Sequence, residues 1–308
     1  MLSASKLEEA ALPASVVRRA PVAASGSGVR ARARSAARRL LFLVRRVRAF
    51  LARDFSMMVS YRMEFFMRVL QTIIIATSLF FISKVFRGQA PAGSTQWSDP
   101  FAAWITGFAL MSYFGCGFSS LVNAIRSEQM QGTLENVLMS PIKVPTMIIA
   151  STAWEFVQAT FFACFYLFLG WCFFGVRFQG NFFLALLILF LTALVLHSIG
   201  ILSASFTLVF KRGDPFGATL ATGSFLLSGV LFPTQELNGT FHGISCALPT
   251  TYGLDGIRRV LLEGQSLTQV QNILIILMLF LIGLLPFSLV IFGGALRRAK
   301  REGSLIQY

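Results

Sequence analysis

Charge, histidine, cysteine and the polar aromatics are all scarce in this chain, and each scarcity removes a class of function. Only 13% of its 308 residues are charged, against 55% hydrophobic and a mean hydropathy of +0.70. That is too little polar surface for a water-soluble domain and excludes everything but an integral membrane protein. None of the five lysines follows a glycine, so there is no Gly-Lys-Ser/Thr phosphate loop and the chain cannot itself be an ATPase of that type. His197 and His242 are too few for a multi-histidine metal site, and neither His-Glu-x-x-His nor Gly-x-Ser-x-Gly occurs, which leaves intramembrane hydrolysis unsupported. The four cysteines, Cys116, Cys164, Cys172 and Cys246, lack metal-ligand spacing. The first three fall in predicted spans and read as small apolar residues packed between helices. Five tyrosines and four tryptophans offer little for sugar-stacking platforms, whereas 32 phenylalanines suit lipid-facing and bundle-facing helix surfaces.

What charge there is lies unevenly. Residues 1–53 hold 12 of the 27 Lys and Arg against two acids, Glu8 and Glu9, a local net of +10. A tail of Ala, Ser, Arg and Pro with no apolar core before Leu40 is expected to be disordered. Attraction to anionic lipid is favoured over nucleic-acid binding, and Glu8 and Glu9 weigh against an organelle transit peptide. Within 38–60, Leu40, Leu41, Leu43, Val44, Val47, Phe50 and Leu51 alternate with Arg38, Arg39, Arg45, Arg46, Arg48 and Arg53. At helical pitch the apolar set gathers on one side, which predicts an amphipathic interfacial helix.

About 20 apolar residues cross a bilayer, and the chain offers six such runs. They are 65–86, 101–124, 146–174, 182–210, a short one at 216–232, and 270–296 with Pro286 as an expected kink. Gly115-x-x-x-Ser119 in the second permits close helix packing, either within the chain or between two copies. Between the fifth and sixth, residues 234–269 are amphipathic and broken by Gly239, Gly243, Pro249, Gly253 and Gly264, which predicts a re-entrant or surface hairpin. Asn238-Gly239-Thr240 matches a glycosylation sequon but is short enough to arise by chance. The domain reading is therefore a basic tail at 1–37, an interfacial helix at 38–60, a six-helix transmembrane domain at 61–300 and a C-terminal tail at 301–308.

Placing both termini in the cytoplasm puts 22 of the 27 Lys and Arg inside and leaves Lys84, Arg87, Arg177, Arg258 and Arg259 outside, as the positive-inside rule asks. The polar loops 126–145 and 211–215 then face the cytoplasm. In the first, Thr133 can N-cap a short helix whose Leu134, Val137 and Leu138 share a face and which Ser140-Pro141 ends. One or two turns would melt alone in water, so this foot is expected to pack against something, plausibly another protein.

Glu128, Gly132, Thr133, Leu134, Glu135, Leu138, Ser140 and Pro141 resemble a signature of the type-2 (ABC-2) exporter permeases of the ABC transporters. Phe232-Pro233, the segment 248–252 with Arg258 and Gly264, and the basic C-terminal tail strengthen the likeness, which runs from about Arg48 onward. The resemblance implies an all-α polytopic permease with six transmembrane helices, an N-terminal connecting helix, a cytoplasmic coupling helix and an outer re-entrant hairpin before the last span. It implies a separate ATP-binding subunit holding ATP and Mg, no cofactor on this chain, and a homodimer or a heterodimer with a second permease in membrane lipid. The 132–141 loop would dock on the ATPase, with Lys211, Arg212 and Asp214 in a second cytoplasmic loop. Pro233, Pro249, Tyr252, Arg258 and Arg259 would lie near an outer gate, or else Tyr252, Arg258 and Arg259 act as interfacial anchors, with tyrosine at headgroup depth and arginine snorkelling to water.

Glu155 is the ionisable residue to watch, about two turns into the third span, where a charge near the centre costs roughly 2.5 to 3.5 kcal/mol. It is either a substrate or proton contact or, as favoured here, a paired or hydrated group near the cytoplasmic side. His197 on the fourth span is more often a packing residue than a relay. The expected function is ATP-driven export of an amphipathic drug, a lipid or a glycan-type substrate across a bacterial inner membrane. A membrane scaffold subunit is the alternative, and a secondary transporter is weakened by the lack of several buried charges or paired broken helices.

Overall fold

The computed structural model describes residues 55–56, 62–86, 99–130, 144–210 and 214–301, all within the compact unit Arg45–Tyr308. The described residues form helices and turns without strands. In chain order the helices are α1 (Arg62–Val85), α2 (Pro100–Phe114), a π-helical turn (Gly115–Ser119) running directly into α3 (Ser120–Met130), α4 (Val144–Cys172) and α5 (Phe182–Phe210). They continue with α6 (Pro215–Leu227), a 3₁₀ turn (Thr234–Glu236), α7 (Gly239–Ala247), α8 (Pro249–Leu261) and α9 (Gln271–Arg301). The interfacial helix read at 38–60 and the foot at 131–143 lie outside the described residues, apart from Phe55 and Ser56.

Two of these helix starts are written in the sequence as Asp-Pro pairs. Asp99 accepts from the Phe101 amide at 3.2 Å ahead of Pro100, and Asp214 accepts from the Gly217 amide at 2.8 Å ahead of Pro215. The carboxylate satisfies an orphan N–H while proline fills a first-turn position that needs none.

Among the described residues, five helices are long and apolar enough to cross a membrane: Arg62–Val85, Pro100–Ser127, Thr152–Cys172, Phe182–Val209 and Gln271–Ala299. The run read as a fifth span departs from expectation. Its helix stops at Leu227, 13 residues and about 20 Å long, short of the roughly 30 Å of hydrocarbon, because residues 228–232 turn away through Gly229 at φ +86°. The final helix runs through Pro286 to Arg301, beyond the expected end.

The π turn, α2 and α5 form the centre, and α1 and α9 are peripheral. On α1 the buried residues Thr72, Ala76, Leu79 and Ser83 make a single stripe, while Phe66, Ile74, Phe81 and Ile82 are exposed. On α9 the buried face includes Ile273, Leu277, Ser288, Phe292 and Ala299, and Leu279, Ile282 and Val290 face out. Contiguous exposed apolar surface of this kind marks contact with lipid or with another protein. Close packing in the centre comes from Gly117, where an added Cβ would fall against Leu196, and Gly200, where it would fall on the Gly117 carbonyl. Within the chain the Gly115/Ser119 pair forms no such seam: a Cβ at Gly115 meets nothing within 4 Å. The wider π turn shifts the small-residue face round to Gly117. The cysteine expectation also needs amending, since Cys116 is buried but Cys172 is exposed.

Two clusters of buried side chains lie toward opposite ends of the bundle. One gathers Leu121, Ile125, Ile148, Ile201, Leu208, Phe292 and Leu296 from the ends of α3, α5 and α9 and the start of α4. Arg62, Arg68, Arg126, Arg297, Arg298 and Arg301 fall toward that end, so we term it the basic end. The opposite end is closed by α7, α8 and the turns beside them. There Gln179 donates its amide to the Leu261 carbonyl at 2.9 Å.

Candidate functional site

A cavity of about 870 Å³ lies between α1, the α2–π–α3 helix and α4, on the basic-end side of the bundle. Each wall is a helical stripe. On α1 it runs Glu64, Arg68, Gln71, Thr72 and Ile75, and on α4 it runs Glu155, Gln158, Ala159, Phe162 and Tyr166. The third wall begins apolar at Phe108 and Met111, passes Gly115 and Cys116, and ends polar at Ser119, Asn123 and Ser127. Position numbers three and four apart put each set on one face.

The cavity is graded from mouth to floor. Glu64, Arg68, Gln71, Asn123 and Ser127 are exposed, whereas Thr72, Cys116, Ala159, Phe162 and Tyr166 are buried. Gly115 opens onto it, so the π turn serves two faces: Gly117 seats the helix against α5, and Gly115, Cys116 and Ser119 border the cavity. Irregular π turns inside helices are frequent at functional sites. Arg68 is held in place from α4. Its Nη1 donates to Gln158 Oε1 at 3.1 Å, and its guanidinium carbon stands 5.6 Å from the centre of the Phe162 ring, a cation–π distance. Phe65 packs on Phe161 with ring centres 5.5 Å apart, fixing the same end of α1 to α4.

The structure separates the two intramembrane residues singled out in the sequence. Glu155 is half-buried and lines the cavity with Arg68. His197 is buried on α5, with Nε2 3.5 Å from Thr152 Oγ1 and its ring edge-on to Phe156 at 5.5 Å. The sequence reading missed the stripe of Glu64, Arg68 and Gln71. Its signal was there: three polar residues at i, i+4 and i+7 on an otherwise apolar span, aligned with Glu155 and Gln158 on another.

At the far end, Pro233, Pro249, Tyr252 and Arg258 all belong to the folded connection between α6 and α9. Pro249 opens α8, and Tyr252 Oη donates to the Cys246 carbonyl at 2.8 Å. Arg258 does not snorkel to water, as the anchoring alternative required; it is 4% exposed. Its Nη1 donates to the Gly229 carbonyl at 2.9 Å, and its Nη2 to the carbonyls of Ala103 at 2.9 Å and Val230 at 3.2 Å. Trp104 Nε1 donates to the next carbonyl, Leu231, at 2.8 Å. Two side chains thus satisfy the successive carbonyls of Gly229, Val230 and Leu231 in the turn that follows α6, and bind that turn to the start of α2. Burial pushes the Arg258 guanidinium down to about 9, with Asp255 pulling it back up, so at neutral pH it stays a charged donor at a helix C-terminus, where positive charge is favoured. Arg259 points the other way, paired to Asp255 at 2.9 Å.

Of the loop residues, Gly132, Thr133, Leu134, Glu135, Leu138, Ser140 and Pro141, with Lys211 and Arg212, lie outside the described residues. Glu128 sits in the last turns of α3, its side chain likewise outside them. Asp214 caps α6 and accepts from the Ser203 hydroxyl of α5. The family model described as ABC-2 type transporter matches residues 45–262. No curated protein matches the sequence.

Proposed function

The chain belongs to the ABC-2 type transporter family, and from that premise we propose that it is the permease subunit of an ATP-driven exporter of amphipathic molecules. It is an integral, multi-pass membrane protein of a family whose members are the transmembrane components of ABC transporters. Energy on this reading comes from a separate ATP-binding subunit docked at residues 132–141, with ATP and Mg held there. Two permease copies, identical or paired with a second permease, complete the path.

The observation that carries the substrate class is the graded cavity: a charged mouth at the basic end leading to a floor of Phe108, Met111, Phe162 and Tyr166. Its volume falls in the roughly 300–1,000 Å³ range of small-molecule sites. With the basic end in the cytoplasm, the cavity lies on the side where a cargo is loaded for export, and the Arg258 clamp closes the other side. Movement of the docked foot would reach α3 and α4 directly, since it joins them. Those helices form two walls of the cavity, and packed helices switch between discrete arrangements.

The test is co-purification with the candidate ATP-binding subunit and reconstitution in liposomes. Hydrolysis stimulated by amphipathic substrates, with the substrate moved away from the nucleotide side, is the expected result. A stable membrane complex without any ATP-binding partner would return the protein to the scaffold class.

A further inference from the structure

We infer that the cavity between α1, α3 and α4 binds a phospholipid whose headgroup carries both a phosphate and an ammonium, with Arg68 as the phosphate ligand. The inference names the ligand class of the same cavity, and only the lipid's role as cargo rests on the exporter reading.

An arginine on the first transmembrane helix has a desolvation cost that falls toward the helix end but still calls for partners. Among the described residues the structure gives it one acceptor, Gln158 Oε1 at 3.1 Å, and one ring face, Phe162. Both are neutral and both come from α4, so they orient the side chain without neutralising it. A guanidinium has five N–H groups in a fixed fork that matches two phosphate oxygens at once. With one nitrogen on Gln158, fork donors remain for a ligand in the cavity that Arg68 lines.

The mouth carries both signs. Glu64 stands one turn before Arg68 on α1, and Glu155 one turn before Gln158 on α4. A purely anionic lipid would meet these carboxylates unfavourably, and a purely cationic amphiphile would meet Arg68. A zwitterionic headgroup satisfies both, phosphate to arginine and ammonium to carboxylate. Below the mouth, Ile75, Phe108, Met111 and Phe162 offer the apolar surface that acyl chains need, and the exposed apolar residues of α1 continue it outside the cavity.

The test uses the full chain in detergent micelles with a diazirine-bearing phosphatidylethanolamine, read by cross-link mapping and by native mass spectrometry of retained lipid. The expected result is cross-linking to α1 and α4 and retention that drops about tenfold in Arg68→Gln, the loss of one charged hydrogen-bonding partner. Arg68→Lys should fall between the two. Gly115→Leu should abolish retention, because its side chain enters open space in the cavity rather than a packed interface; its unchanged thermal midpoint would show that the fold survives. Unaltered retention in either Arg68→Gln or Gly115→Leu overturns the inference. So does loss of binding in Glu64→Gln and Glu155→Gln alone, which would mark a site for cationic amphiphiles. Competition by soluble phosphorylethanolamine as effective as by the lipid would mark a site for a free phosphate and also overturns it. None of these readouts needs ATP: retained lipid without stimulated hydrolysis would leave the site standing and remove the exporter reading, whereas drug-stimulated hydrolysis with no lipid retained would do the reverse.

Discussion

Arg258 on α8 and Gly229, just beyond the end of α6, are joined by a 2.9 Å hydrogen bond from guanidinium to carbonyl, and the same side chain reaches the first turn of α2 through Ala103. A single residue therefore holds three segments at one end of the bundle. The Gly229 φ of +86° turns the chain so that successive carbonyls face the fork, a backbone conformation that suits glycine.

Arg258→Met should therefore cost stability well beyond its lost packing. The Gly229 and Val230 carbonyls lose their donor, while Ala103 keeps the Thr106 hydroxyl at 2.9 Å; each buried unsatisfied group costs about 1–3 kcal/mol, so a loss of at least about 2 kcal/mol is expected. Arg258→Lys keeps the charge but not the fork and should lie between. Thermal unfolding in detergent, followed by tryptophan emission, measures both. Midpoints equal to that of the parent protein would refute the clamp.

A similar comparison separates the two faces of the π turn. Gly200→Ala places a Cβ against the Gly117 carbonyl, where backbone cannot yield cheaply, and overpacking of this kind costs about 1–3 kcal/mol. Gly115→Ala adds the same methyl to open space and should leave the unfolding midpoint within about a degree, on the scale of ordinary surface changes. If the costs came out reversed, α5 would not be seated on this turn.

The spans were legible because apolar length is a strong signal: the helix Phe182–Phe210 has the bounds read from the sequence. The shortness of α6 was not, since Ser228, Gly229 and Val230 are apolar or small enough to extend a hydrophobic run although Gly229 ends it in space. Arg258 was visible as a residue but not as a buried one, because its partners are backbone carbonyls 28, 29 and 155 residues away and carbonyls carry no sequence signature. The polar stripe at Glu64, Arg68 and Gln71 had the right period, but it becomes a cavity wall only once α4 brings Gln158 opposite it.

On the exporter reading, the loop between α3 and α4 transmits work from the ATP-binding subunit. Leu138→Ala shortens an apolar side chain of the foot and Glu135→Gln removes a charge, and neither residue lines the cavity. Each should cut coupled transport at least tenfold while basal ATP hydrolysis by the assembled complex continues. Radiolabelled substrate uptake into inverted vesicles, measured beside phosphate release, gives the ratio. A ratio unchanged in both variants would remove residues 132–141 from the coupling role.

Sidedness follows from the same geometry and can be tested without a known substrate. Cys246 is exposed on α7, at the end sealed by Arg258 and opposite the basic cluster. On the six-run reading 22 of the 27 Lys and Arg fall on the other side, the side that the positive-inside rule would keep in the cytoplasm. In a background lacking the other three cysteines, a membrane-impermeant maleimide added to intact cells should label Cys246. With Cys246 also removed, Ser140→Cys should stay unlabelled until the membrane is opened. Labelling of the Ser140→Cys thiol from outside would place the foot where no ATP-binding subunit can reach it, and the cavity mouth on the wrong side for loading from the cytoplasm.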